Sequence, residues 1–502
     1  MDKKNKMYFH RMKSLLSIFL ISIFFSSSCY SKGHELKFRV EGIQNKEIIL
    51  AHYFNKSIYP DDTLTSDERG TVVFSGEGAL PQGMYILYLP SGKYFEFIVG
   101  EDQEFSIETD TLDFIHHAKI KGSEDNELFF DFQKYMISKK EEHQDLLEVL
   151  RNPESEENKE EARKKLKAIG EERKEKVKRI VADNPKLFVS TFFKATLDIE
   201  VPDPPLLEDG SIDSSWQYRY YKNHFFDNFD PHDGRLLRTP LYEDKILYYL
   251  EKVVIQIPDT LIKEVDYLLE GAREDSVLFR YLLVTLFNHY GNTNIMGLDA
   301  VQVHLAANYY LTEAWWINDD FREELIERVA ALQPLILGNI SPNIELLFVP
   351  ADHFKAAQSD SALKSYPHVG KLMHIHDLPG EYIVLVFWEA NCSHCKKAIP
   401  AMYRIYKEQL EPKGIQVVSI STLFGEEGKV KWVDFVNKYQ LYDWWNAWNP
   451  YDYQYKIKYD IRTTPQIFIL DKERKIIGKR IGPEQVPEFI EMYDQHQKSN
   501  QE

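Results

Sequence analysis

Residues 382–400 read YIVLVFWEANCSHCKKAIP, and the order of features inside that stretch decides the fold of the C-terminal part of the chain. Seven apolar residues, YIVLVFW at 382–388, have the length and continuity of a strand buried on both faces. A Cys-x-x-Cys pair follows at once, and the residues after it run on as a helix. Working outward, strand IQVVSIS (415–421), helix KVKWVDFVNKY (429–439), strands QIFILD (466–471) and KIIGKRI (475–481) and a closing helix from Pro483 predict an α/β domain with a mixed sheet, beginning after GNISPN at 338–343.

Only three cysteines occur in 502 residues: Cys29, Cys392 and Cys395. Zinc and iron–sulfur sites built on Cys-x-x-Cys need a second pair of ligands, and the mature chain has no further cysteine to offer, so no metal or cofactor is expected. A cysteine at a helix N-terminus faces unsatisfied N–H groups and the positive end of the helix dipole, and both favour the thiolate. Cys392 is therefore the expected nucleophile, and Cys395, one turn inward, the thiol that resolves a mixed disulfide.

With these residues in view, the stretch from 338 to 495 resembles a thioredoxin fold, in particular the envelope thiol-disulfide oxidoreductases of the TlpA/ResA kind. Trp388 stands four before Cys392, Pro400 five after Cys395, and TTPQIFILD (463–471) matches the family's cis-proline strand. The resemblance implies that Trp388, Thr464 and Pro465 face the substrate, with the backbone beside Pro465 holding an extended chain next to the sulfurs. Three positions depart from the pattern. Val386 stands where thioredoxin has a buried aspartate, which leaves Glu389 either as a substitute base or as an exposed carboxylate at the start of the helix. Asn391 replaces the usual tryptophan. Ser393 and His394 separate the cysteines, and the resemblance of His394 to the more oxidising members implies a couple toward the oxidising end of roughly −120 to −270 mV.

The rest of the chain reads differently. Lys3, Lys4, Lys6, Arg11 and Lys13 precede the apolar run LLSIFLISIFF at 15–25, then SSSC ending in Cys29. Eleven residues are short for a membrane span, which needs about 20, so residues 1–29 read as a signal peptide. That segment resembles a bacterial lipoprotein signal, which implies lipidation at Cys29 and a membrane anchor in the envelope; plain secretion is the other reading. Residues 34–121 alternate short apolar runs with turn signals and predict antiparallel strands in a small sandwich. Residues 122–335 predict a helical domain, including a charged hairpin broken at NPESEEN (152–158) with Leu166, Ile169, Val177 and Ile180 on one stripe. The order of β-rich, helical and thioredoxin-like domains resembles envelope lipoproteins of the Bacteroidota type. A formal net charge of −18 argues against nucleic acid as a partner; protein thiols or disulfides and a redox partner protein are the partners the resemblance implies.

Several sharper readings compete with bland ones. DWWNAWNPYDYQY (443–455) could line a substrate groove, but ordinary packing under a long loop is the preferred reading. His374 and His376 alternate on an expected strand, and His116 and His117 are expected to point apart on another; neither pair makes a metal site. Two alternatives to thiol exchange are a Cu(I)-binding protein using Cys392, Cys395 and His394, and a non-catalytic envelope binding or scaffold protein. A peroxiredoxin-like reading does not suit a Cys-x-x-Cys pair.

Overall fold

The computed structural model describes residues 33–499 apart from 154, 367–368 and 452, so the signal segment and Cys29 lie outside the described residues. No described helix is long and apolar enough to cross a membrane. The chain divides into two compact units, one ending at Tyr248 and the other beginning at Tyr249. The division falls within the stretch expected as a single helical domain.

The first unit contains strands β1 (His34–Glu41), β2 (Glu47–Phe54), β3 (Ser57–Thr65), β4 (Thr71–Gly76), β5 (Gly83–Tyr88), β6 (Tyr94–Val99), β7 (Glu104–Asp110) and β8 (Lys119–Lys121). They form two four-stranded sheets, ordered β4-β1-β7-β8 and β3-β2-β5-β6. In β1, Leu36, Phe38 and Val40 are buried while Glu35, Lys37 and Arg39 are exposed, the period of two that a one-sided strand requires. Two expectations need correction. β1 and β7 pair in parallel, so the domain is not wholly antiparallel. His116 and His117 sit in a turn rather than on a strand, each ring against an aspartate: Asp113 at 2.8 Å and Asp110 at 2.7 Å.

Helices α1 (Glu124–Arg151) and α2 (Glu156–Asp183) form the expected hairpin, and α3 (Phe188–Ala195) follows. Residues 123–126, SEDN, fasten the hairpin. Ser123 caps α1 by accepting from the Asn126 amide at 3.2 Å. The Asn126 side chain pairs with both backbone groups of Ile98 at 2.8 Å, and Asp125 accepts from the Val189 amide at 2.7 Å. Phe129, Phe130, Val177, Ile180, Phe188, Val189 and Phe193 thereby join the strand core. Leu166 and Ile169 are only half-buried, so the stripe is covered at one end of the hairpin.

The second unit begins with a helical segment containing α4 (Pro258–Gly271), α5 (Ser276–Gly291), α6 (Asp299–Leu305) and α7 (Asp319–Leu332). A seven-stranded sheet follows: β9 (Glu345–Phe348), β10 (Lys371–His374), β11 (Ile383–Trp388), β12 (Gln416–Ser421), β13 (Trp445–Trp448), β14 (Gln466–Leu470) and β15 (Ile476–Lys479), ordered β10-β9-β13-β12-β11-β14-β15. β11, β12 and β13 run parallel, whereas β14 lies antiparallel to β11. Central β11 is buried at every residue and divides its side chains between two cores. Val384, Val386 and Trp388 face one, with α8 (Cys395–Ile405) and α9 (Gly425–Tyr439); Ile383, Leu385 and Phe387 face the other, with Tyr455 of α10 (Gln454–Lys458) and Tyr459 just beyond it.

In the aromatic run at 443–455, Trp444 and Trp448 are buried as packing requires, but the run is not all loop. It contains β13 in mid-sheet, and the polar Asn446 is tolerated there because its side chain donates to the Leu441 carbonyl at 2.6 Å and accepts from Trp444 Nε1 at 3.1 Å. The HIHD stretch does not place two histidines on one strand face, since β10 ends at His374 and residues Ile375–Asp377 form a 3₁₀ turn.

Candidate active site

β11 delivers the chain to the cysteine pair at the carboxyl ends of the parallel strands, where α/β folds present their ligand sites. Glu389–His394 form a turn, and α8 opens at Cys395. The Cys392 carbonyl already accepts from the Lys396 amide at 3.1 Å, so Cys392 stands at the mouth of the helix. Pairing of Phe387 with Gln466 aligns the end of β11 with the start of β14. This brings the Thr464–Pro465 peptide, which is cis, alongside the cysteines. The Cys392 thiol donates to the Thr464 carbonyl at 3.3 Å.

The two sulfurs differ in environment although only two residues separate them. Cys392 is half-buried and Cys395 fully buried, and both are free thiols. Partial burial works to raise Cys392, but hydrogen bonds to its sulfur from the Cys395 amide and thiol, the Thr464 side chain and the His394 amide outweigh it, and the net shift is downward. Burial dominates at Cys395 and pushes that thiol up to about 11, against opposing contacts from the Glu389 amide and Thr464. One thiol is thereby disposed to ionise and the other to stay protonated.

The remaining expected site residues fall in different places. His394 is exposed beside Cys392. Trp388 does not face a substrate: it is fully buried, with Nε1 donating to Ser419 Oγ at 2.8 Å and its ring 4.9 Å from that of Phe435. The reason is strand parity, which points Trp388 into the same core as Val386 and Cys395. Val386 thus fills the place of an internal carboxylate with an apolar side chain. The Glu389 carboxylate accepts from Thr422 Oγ1 at 3.0 Å and lies 3.7 Å from Lys456 Nζ, so its contacts lead toward α10. Sequence reading missed both partners. Thr422 was signalled only by its place at the end of β12, where its amide donates to the Trp388 carbonyl at 2.9 Å, and Lys456 carries no local signal.

Residues 350–479 match the model of the AhpC/TSA family, residues 35–129 a domain of unknown function (DUF4369), and residues 156–333 a second (DUF5106). The thiol-disulfide oxidoreductase ResA of Bacillus cereus is 31% identical over 126 residues, which span 25% of this chain and 68% of that protein. Among solved structures, a domain of a possible thiol-disulfide isomerase from Cytophaga hutchinsonii is 29% identical, with 33% of this chain and 98% of that one covered and a TM-score of 0.27. A thioredoxin-like protein from Bacteroides caccae is 16% identical, covering 59% and 99% with a TM-score of 0.41.

Proposed function

Because the chain belongs to the thioredoxin-like thiol-disulfide oxidoreductases of the ResA family, we propose that Cys392 and Cys395 are its redox pair, exchanging disulfides with protein thiols in the cell envelope. The observation that carries this reading is the asymmetry of the pair. The accessible thiol lies at the mouth of α8 against the Thr464 carbonyl and is shifted downward, while the buried one is held up to about 11.

The reaction runs in two displacements. The Cys392 thiolate attacks one sulfur of a substrate disulfide, forming a mixed disulfide and expelling the other sulfur as a thiolate that takes up a proton. Cys395 then loses its proton and attacks Cys392 Sγ, releasing the second substrate thiol and leaving the Cys392–Cys395 disulfide. Two electrons pass from the protein dithiol to the substrate, and the reverse sequence oxidises a substrate dithiol. Consumption of the Cys392 thiolate removes the negative charge that discourages ionisation of Cys395, so the second step becomes easier once the first has occurred.

Exposed His394 places a second N–H-bearing group beside the reactive thiolate. Glu389 serves as a positioning residue that ties the turn to Thr422 and Lys456. Trp388 fixes the end of β11 from inside the core. Export and lipidation at Cys29 rest on the N-terminal charge-and-apolar pattern. Equilibration of the chain in glutathione redox buffers, followed by thiol trapping and mass measurement, tests the proposal. A single two-electron couple toward the oxidising end of roughly −120 to −270 mV is expected; thiols that stay reduced across the whole range contradict it.

A further inference from the structure

Inside the second unit, on the face of the sheet that carries α10, lies an open groove of about 690 Å³. That volume falls within the range of ligand-binding clefts, roughly 300–1,000 Å³. One wall is α10 and the segment after it, with Lys456, Ile457 and Ile461; the other is α7, with Phe321, Leu325 and Arg328. We propose that this groove holds the stretch of substrate polypeptide flanking the reacting cysteine, and that it favours an extended segment combining apolar with basic residues. The inference rests on the reading of Cys392 as the nucleophile and adds to it the class of substrate.

Three observations carry the inference. The first is continuity with the reactive sulfur. Arg462, which lines the groove, lies two residues before Thr464, whose carbonyl contacts Cys392 Sγ. Two residues of chain span at most about 7 Å, so the Arg462 end of the groove lies within a few residues' reach of the cysteine. The second is apolar surface left uncovered at that place: Ile457 is 60% exposed and Phe321 39%. Just beyond Lys456, Tyr453 is 57% exposed and packs edge-on against Phe424 at 4.0 Å. Hydrophobic side chains exposed together beside a reactive group mark a recognition surface.

The third observation is charge. Along the groove the cations are already engaged. Arg328 grips both carboxylate oxygens of Asp460 at 2.7 and 2.8 Å, Arg462 meets the same carboxylate at 2.8 Å, and Lys456 approaches Glu389. Glu324 and Glu327 on α7 are exposed lining residues and enter none of these pairs. The rim is therefore complementary to basic residues. The Arg328–Asp460 clamp also holds the two walls at a fixed separation before any substrate arrives, which limits the ordering cost of binding.

The test uses the whole chain in its reduced form, in single turnover against two probes. One is a short synthetic peptide carrying its cysteine as a glutathione mixed disulfide between leucine and arginine residues; the other is dithionitrobenzoate, too small to occupy the groove. The quantity read is the ratio of second-order rate constants, peptide over dithionitrobenzoate. Ile457→Lys, which removes the apolar contact and repels the arginines of the probe, is expected to lower that ratio at least tenfold. The double variant Glu324→Lys/Glu327→Lys is expected to transfer the preference from the arginine-bearing peptide to one with glutamates in the same places. Ratios that match wild type in both variants, with both probes still turned over, would overturn the groove and leave the redox pair standing. Failure of the unsubstituted protein to reduce either probe would overturn the redox pair, and the groove with it.

Discussion

Cys392→Ser is expected to abolish disulfide exchange, taking turnover below about one thousandth of the wild-type rate, because a serine hydroxyl supplies no thiolate at neutral pH. Cys395→Ser has a different outcome. Its Cys392 still attacks, but the mixed disulfide cannot resolve, so a covalent one-to-one adduct with the substrate accumulates and disappears on reduction. Both effects follow from the geometry. Cys392 is reachable at the mouth of α8, whereas Cys395 is buried among Val386, Trp388 and Ile399 and meets a substrate only through its neighbour. Gel separation without reductant, with mass identification of the adduct, checks both variants. Equal trapping by the two variants would mean that the sulfurs are interchangeable and that their different burial has no chemical role.

The second large effect concerns stability. Lys479 on β15 and Asp299 on α6 form an ion pair at 2.6 Å, with side chains only 4% and 5% exposed. Lys479 Nζ also donates to the Leu335 carbonyl at 2.6 Å. Burial lowers the Lys479 pKa, and the nearby Asp299 carboxylate opposes that shift. The pair joins the helical segment to the sheet within the second unit. Lys479→Met leaves the Asp299 carboxylate buried without its cation, and a loss of about 3–5 kcal/mol is expected. Replacing both together, as Lys479→Met/Asp299→Leu, removes the orphaned charge and recovers most of that loss. Urea unfolding of the single and double variants measures the difference. A double variant as unstable as Lys479→Met would show that packing around Lys479, not its charge, holds the segment.

The parts of this fold legible in the sequence were those with local signals. The run at 382–388 announced a strand buried on both faces, Cys392 and Cys395 announced a thiol site in the chain's cysteine economy, and TTPQIFILD announced the strand that brings Thr464 to them. What escaped depended on distance along the chain. β13 is four residues long and carries Asn446, whose polarity is satisfied by Leu441 and Trp444 only after folding. β3 is exposed almost throughout and includes Pro60, which reads as a loop and is tolerated at the edge of its sheet. Parallel pairing of β1 with β7 joins segments about seventy residues apart, beyond any local pattern.

The site shows the same division. Trp388 stands where the family motif places it, and motif position alone suggested contact with substrate. Strand parity, counted outward from Val386, puts it in the core instead. Lys456 reaches Glu389, and Asp299 reaches Lys479, across separations that no spacing rule encodes. The groove beside α10 arises from the same long-range packing of the helical segment against the sheet, so its residues carried no signal in the sequence.

On this reading Cys392 is the activated thiol and Cys395 the guarded one. The most direct test is the pH dependence of iodoacetamide alkylation of the reduced chain, with each cysteine resolved by peptide mass. Cys392 is expected to gain reactivity at a pH below the ordinary range of a cysteine thiol, while Cys395, held upward by burial, is alkylated only at distinctly higher pH than Cys392. The two cysteines titrating together, or Cys395 reacting first, would contradict this reading.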